Sequence, residues 1–239
     1  MQVRTQTLAD VAIPSNGLLS RPLVRDAILI IGFSFLTALF AQIAIKLPFT
    51  TVPITGQTFA VLLTGAALGS KRGGASIGLY MIWGLIGIPV FAPGGSALEG
   101  QLVHFIFPWV GTSGLIWSIT SGGYIVGFIF AAYFVGMLAE RSWDRGWKVN
   151  IAMLGGNVLV YVFGLAWLGY VIGSNALESS LGFTLSEFIP GDNTLQKTLN
   201  GGLYPFIVGD LIKLMLAGMV LPGAWEIVNS IKKRNIKDK

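Results

Sequence analysis

Apolar runs too long and too continuous for a soluble fold alternate along this chain with short polar connections. Six of them read as membrane-crossing helices: Val24–Ile45, Gln57–Gly69, Ala75–Phe91, Gly122–Leu138, Val149–Gly173 and Tyr204–Ile227. A bilayer core takes about 20 helical residues, so the second run is short. The flank before it, Leu47 to Gly56, is rich in Pro and Thr. It is expected to dip into the bundle as irregular backbone, which membrane depth tolerates only where protein covers it or it lines a cavity. The pattern therefore predicts an all-α integral membrane bundle of six transmembrane helices. It forms one membrane domain over residues 1–239, with a polar lead over 1–23 and a basic tail over 228–239. A further apolar piece, Leu102–Ile119, contains His104, Pro108, Gly111 and Gly114. It is expected to be partly re-entrant or interfacial on the outer side, with Trp109 and Trp117 as interface anchors.

Composition agrees. Charged residues make up only 11% of the chain, hydrophobic residues 53%, and mean hydropathy is +0.71; ordinary soluble domains carry about 25% charged residues. The net charge of +5 does not point to nucleic acid, because thirteen of the sixteen Lys and Arg fall on one side of the predicted bundle. Lys46 and Lys197 fall on the other side, and Lys213 lies within a span. By the positive-inside rule both termini face the cytoplasm. That makes the chain a multi-pass protein of the cell membrane. The first 23 residues lack a continuous apolar stretch, so the first span is expected to direct insertion.

The last run breaks the apolar pattern. It places Asp210 and Lys213 three residues apart inside a span, which puts both on one helical face. Intramembrane charges are costly and mark functional sites by default; the plainer alternative is an ion pair that only locks helices together. The span enters from the outer side, so the pair lies roughly 7–12 Å below its start. Three outer connections rich in Gly, Pro, Ser and Thr lie above it: Pro48–Gln57, Pro93–Gly100 and Ser174–Gly202. A polar pair beneath such loops suits a receptor for an external small molecule.

Other chemistry is excluded or weak. With no cysteine and one histidine, disulfides, thiol catalysis and a metal cluster of several His or Cys are ruled out. No phosphate-cradling P-loop is present, and no cofactor is expected. Gly111-Thr112-Ser113-Gly114 matches the Gly-x-Ser-Gly pattern of rhomboid-type intramembrane proteases, but the lone His104 precedes the serine by nine residues. A serine nucleophile needs a base within hydrogen-bond reach, and the order of partners is wrong. Asp210 alone also suits an ion-coupled secondary transporter of a small organic acid, with the carboxylate as proton carrier.

An ordered set of short motifs narrows the choice. Val52-Pro53-Ile54-Thr55-Gly56-Gln57-Thr58 leads into Leu62-Leu63-Thr64-Gly65-Ala66-Ala67-Leu68-Gly69 and Lys71-Arg72-Gly73-Gly74. Then come Tyr80, Gly84-Leu85-Ile86-Gly87-Ile88-Pro89-Val90-Phe91-Ala92, Gly122-Gly123-Tyr124 and Gly209-Asp210-Leu211-Ile212-Lys213. In this order and spacing the chain resembles BioY, the biotin-specific substrate-binding component of energy-coupling-factor (ECF) transporters. The resemblance implies a six-helix transporter component, not an enzyme, that captures biotin near the outer face for import. It implies as partners a transmembrane coupling subunit and a pair of cytoplasmic ATPases; homo-oligomerisation is left open. It also implies that Asp210 and Lys213 contribute to binding.

The chemistry of biotin suits these residues. A carboxylate accepts N–H bonds and an ammonium donates to a carbonyl, so the pair is expected to read the ureido head. Gln57 and Tyr124 are candidates for neutral polar contacts, and equally for capping or packing a helix. Gly94 and Gly95 are candidates for an N–H nest around the carboxylate tail. Phe49, Phe91 and Trp167 are candidates for apolar walls. Three features depart from the family: the lengthened apolar piece 102–119; the first span, whose Gly32, Ala38, Ala41 and Ala44 do not form a strict four-residue repeat; and the connection Ser174–Gly202, whose acids Glu178, Glu187 and Asp192 are expected to be a solvated outer face. Ala38 and Ala41 are nonetheless expected to face the coupling subunit, since small residues permit close helix approach.

Overall fold

The computed structural model describes residues 6–13, 17–94 and 102–237. It is mainly helical. A short lead helix, α1 (Leu8–Ala12), precedes α2 (Pro22–Ala41), α3 (Gln57–Leu68), α4 (Ser70–Leu85), α5 (Gly122–Ala139) and α6 (Lys148–Ser174). Three short helices follow, α7 (Glu178–Leu181), α8 (Leu185–Phe188) and α9 (Thr194–Gly202), and then α10 (Ile207–Lys237). Among the described residues, four stretches are long and apolar enough to cross a membrane: α2, α5, α6 and the α9–α10 stretch Thr194–Lys232. The helix α3 is apolar but has only 12 residues, about 18 Å at 1.5 Å per residue.

The packing inverts the soluble pattern. In α2, Ser34, Thr37, Ala38 and Ala41 are buried, while Ile28, Ile31 and Phe35 are exposed. Without a hydrophobic drive between helices in lipid, small and weakly polar residues make the contacts. Trp83 Nε1 donates to Ser34 Oγ at 3.2 Å, and Ser76 Oγ to the Ile30 carbonyl at 2.9 Å, which ties α4 to α2. Ala38 is 1% exposed and Ala41 fully buried. They serve this chain's own bundle, so they do not form an outward docking stripe. Three helices meet at Gly65, where a methyl group would overlap the Ala132 carbonyl of α5 and where Gly73 of α4 also approaches.

The segment before α3 is not irregular. Ala44–Leu47 (β1) and Thr50–Thr55 (β2) form an antiparallel hairpin with Ala44 opposite Thr55 and Leu47 opposite Thr50. Its β-branched residues Thr50, Thr51, Val52, Ile54 and Thr55 suit a strand. Pro53 is tolerated because β2 is an edge in the order β2-β1-β3. The third strand, β3 (Val103–His104), comes from the apolar piece 102–119 and pairs with β1. That piece holds little regular structure: strand only at Val103–His104, a bridge between Thr112 and Phe91, one 3₁₀ turn at Ile116–Ser118, and bends and coil elsewhere.

The connection 174–202 is more ordered than its composition predicts. Leu177, Leu185 and Ile189 are buried, and Asn193 caps α9 by accepting from Gln196 N at 2.9 Å. Its acids Glu178, Glu187 and Asp192 face outward.

Polar locks close the opposite end of the bundle. Arg72 grips Asp10 at 2.8 Å, and Arg25 Nη2 donates to the carbonyls of Ala9, Asp10 and Ile13, which fixes α1. Buried Asp144 accepts from Trp225 Nε1 at 2.7 Å, and the Arg145 guanidinium lies 3.8 Å above the Trp225 ring.

Candidate functional site

The site begins with α10. A 3₁₀ turn at Tyr204–Phe206 leads into its first turn, which carries Asp210. Asp210 is 6% exposed, yet its carboxylate is well satisfied. Lys213 Nζ donates to Oδ1 at 2.9 Å. Oδ2 accepts from Asn157 Nδ2 at 3.0 Å and from the Tyr161 hydroxyl. Asn157 and Tyr161 lie four residues apart on α6 and so share a face. The Oδ1 of Asn157 is buried without a partner among the described residues.

Beside this cluster opens a cavity of about 510 Å³, part of it continuous with solvent. Asp210, Lys213, Gln57, Tyr124 and Tyr161 give it polar groups, while Val52, Ile125, Phe128 and Val160 are among its apolar walls. Each polar residue is held by a neighbour. Gln57 donates to Tyr80 and accepts from Thr55 Oγ1 at 2.9 Å. Tyr124 donates to the Gly202 carbonyl at 2.8 Å. Its ring fits only because Gly164 has no side chain, as a methyl group there would overlap it. Thr50 Oγ1 donates to the Gly201 carbonyl at 2.7 Å. The last turn of α9 is thus pinned to β2 and to α5 beside the cavity.

Of the residues singled out in the sequence, Asp210, Lys213, Gln57 and Tyr124 come together on this cavity. Phe91 stands behind it: its ring packs edge-on against Tyr80 at 5.6 Å between centroids, and its neighbour Ala92 reaches the wall. Trp167 is a strut, donating from Nε1 to the Ile119 carbonyl at 2.9 Å. Phe49 sits 38% exposed in the hairpin turn. Gly94 is exposed, and Gly95 lies outside the described residues. Sequence reasoning missed Asn157 and Tyr161. The signal available was a pair of polar residues at i, i+4 in an otherwise apolar span. Ser113, of the protease-like tetrapeptide, is exposed, whereas His104 is buried in β3.

The sequence model of the BioY family matches residues 6–230. The chain belongs to the BioY family. Among its BioY relatives is the biotin transporter BioY of Rhizobium etli, 34% identical over 154 residues, covering 58% of this chain and 74% of the relative. The probable biotin transporter BioY of Pyrococcus horikoshii is 33% identical over 149 residues, covering 62% and 77%. Among solved structures, the S-component for biotin from an ECF-type ABC transporter superposes with a TM-score of 0.56 at 21% identity. The alignment spans 88% of this BioY chain and 95% of the other, so the two share a fold.

Proposed function

We propose that this chain captures biotin and serves its import as the substrate-specific component of an ECF-type transporter. It is a transport protein, not an enzyme. The observation that carries the reading is the buried Asp210–Lys213 pair on the wall of a cavity in a BioY-family chain. A carboxylate offers about four lone-pair sites and an ammonium three donors. Asp210 spends three acceptor sites on Asn157, Tyr161 and Lys213, and Lys213 spends one donor on Asp210. What remains is one acceptor beside two donors, a match for an N–H and the carbonyl of a ureido ring. The apolar walls receive the sulfur ring. The tail carboxylate points to the start of α5, whose flanking Ser121 lines the cavity, since helix N-termini favour anions; Gly94 and Gly95 remain candidates for the same role.

In this reading α2 to α6 and α10 are the six spans of one membrane domain, with both termini cytoplasmic and the cavity toward the outer face. Import then depends on a transmembrane coupling subunit and on cytoplasmic ATPases that supply hydrolysis. Calorimetry of the purified protein with biotin and two analogues tests the proposal. Biotin is expected to bind without ATP, and biocytin more weakly. Iminobiotin, which replaces the ureido carbonyl, is expected to lose at least tenfold, about 1.4 kcal/mol. Absence of saturable biotin binding by folded protein overturns the proposal.

A further inference from the structure

The outer piece 102–119 does not behave as the surface of a soluble loop. It carries no Asp, Glu, Lys or Arg. Apart from Ser113 and Ser118, its exposed residues are mostly large and apolar: Val103 is 61% exposed, Phe105 67%, Phe107 77% and Trp117 57%. Neighbouring exposed residues on β1 and α4 are apolar as well. Val103 pairs across the sheet with Ile45, which is 42% exposed. Gly114 N donates to the Gly84 carbonyl at 2.9 Å, at the end of α4 where Ile82 and Ile86 are exposed. A contiguous apolar face of this kind calls for a cover.

The same piece is fastened to the cavity wall through one buried side chain. Gln42 is fully buried at the end of α2. Its Oε1 accepts from Val110 N at 3.3 Å, and its Nε2 donates to the Phe91 carbonyl at 3.4 Å. Phe91 and Thr112 exchange two backbone hydrogen bonds at 2.9 and 3.1 Å, and Thr112 Oγ1 donates to the Ala92 carbonyl at 2.7 Å. Ala92 lines the cavity. On the other flank, β3 holds β1, β1 holds β2, and β2 contributes Val52, Pro53 and Thr55 to the wall.

We infer that residues 102–119 lie in the headgroup–acyl boundary of the outer leaflet, with lipid as their partner, and thereby hold two walls of the biotin cavity in place. Two arguments select lipid at that depth. A lipid-exposed segment of bends and coil cannot sit in the hydrocarbon core, where unpaired backbone groups find no water. Aromatic side chains such as Trp109 and Trp117 prefer the interface. The second half of the inference rests on the biotin reading; the first half does not.

The chain has no cysteine, so single-cysteine variants in proteoliposomes carry one fluorophore each. A label on Phe107→Cys is expected to be quenched several-fold more by lipids brominated high on the acyl chain than by lipids brominated near its end. A label on Glu187→Cys is expected to respond to neither. Quenching of the Phe107→Cys label by aqueous iodide alone overturns lipid contact. Disulfide formation between Phe107→Cys chains, with no response to bromine, assigns the face to a second copy and also overturns it. For the coupling, the double variant Phe105→Ser, Phe107→Ser is expected to release labelled biotin at least threefold faster than wild type from the same liposomes. Unchanged release overturns the coupling and leaves the lipid contact standing. Failure of wild type to bind biotin at all rejects the biotin reading instead.

Discussion

Replacing Asp210 by Asn tests the site most directly. The carboxylate accepts three donors: Asn157 Nδ2, the Tyr161 hydroxyl and Lys213 Nζ. An amide has one oxygen. If that oxygen takes the Oδ2 position, Asn157 and Tyr161 keep their acceptor, but the new NH₂ group faces the Lys213 ammonium. If it takes the Oδ1 position, the NH₂ group faces two donors instead. In the first case Lys213, whose side chain is 15% exposed, loses its partner. Hydrogen bonds to charged groups are each worth about 1.5–3 kcal/mol. Breaking one half of a buried, hydrogen-bonded charge pair costs about 2–5 kcal/mol of binding. At about 1.4 kcal/mol per decade, the biotin Kd is expected to rise between about 30-fold and several thousand-fold. Lys213→Ala is expected to act alike. The double variant is expected to cost less than the sum, because each single change strands the other charge. Calorimetry reads the affinity, and thermal melting in detergent verifies folding. If both single variants fold and bind biotin as the unmodified protein does, the pair only fastens helices, and the chemistry assigned to it is refuted.

Three further outcomes follow from packing and charge. Gly65→Ala drives a methyl group into the Ala132 carbonyl, so melting is expected to show a loss of about 1–3 kcal/mol, the range for overpacking; an unchanged melting point contradicts the three-helix contact. On α2, exposed Gly32 has nothing near its Cβ position, whereas Ala38 is buried. Gly32→Trp is therefore expected to reduce co-purification with a coupling subunit while leaving biotin affinity intact, and Ala38→Trp to destabilise the isolated chain. Asp10 and Asp144 are expected to titrate with opposite signs. Burial raises the Asp10 pKa, but hydrogen bonds from Thr7 and Arg72 outweigh it and hold the carboxyl below 3.8; its stabilisation is present above 3.8 and is lost as pH falls through the lowered value. Burial raises the Asp144 carboxyl above 3.8, only partly offset by Arg145 and Trp225; its contribution is fullest below 3.8 and is lost as pH rises through the raised value. Melting curves across this acid range check both: Asp10→Asn is expected to flatten the acid-side loss, and Asp144→Asn to remove the decline above 3.8.

The sequence made some of this legible and hid the rest for physical reasons. Asp210 and Lys213 stood out because charge inside an apolar run is costly whatever surrounds it. Asn157 and Tyr161 did not, since neither residue type is costly enough to break the apolar pattern of α6. The hairpin escaped notice because Pro53 and the threonines read as loop, although an edge strand accepts both. Ala38 and Ala41 misled because small residues serve any close helix contact, internal or external. Their face also holds Ser34 and Thr37, and hydroxyls on a helix in lipid turn toward their own protein; that was the clue to the inward direction. Trp167 looked like a wall, but an indole N–H needs an acceptor, and the nearby Ile119 carbonyl takes it.

The helix α10 carries Asp210 near one end and Trp225 toward the other, with Pro222 inside it. Trp225 is clamped by Asp144 and Arg145, while Asp210 is clamped by α6. The two clamps are 15 residues apart, about 22 Å along the axis. A proline inside a helix removes one backbone hydrogen bond and crowds the carbonyl four residues back; here that is the carbonyl of Gly218, which brings no side chain of its own. The helix is therefore expected to bend most easily at Pro222, which lies next to the Trp225 clamp and not next to the cavity. A torque applied at the Trp225 end is spent in bending there before it reaches the carboxylate. In the transport reading proposed above, a partner that tilts or pulls that end is expected to bend the joint before it disturbs the bound cargo.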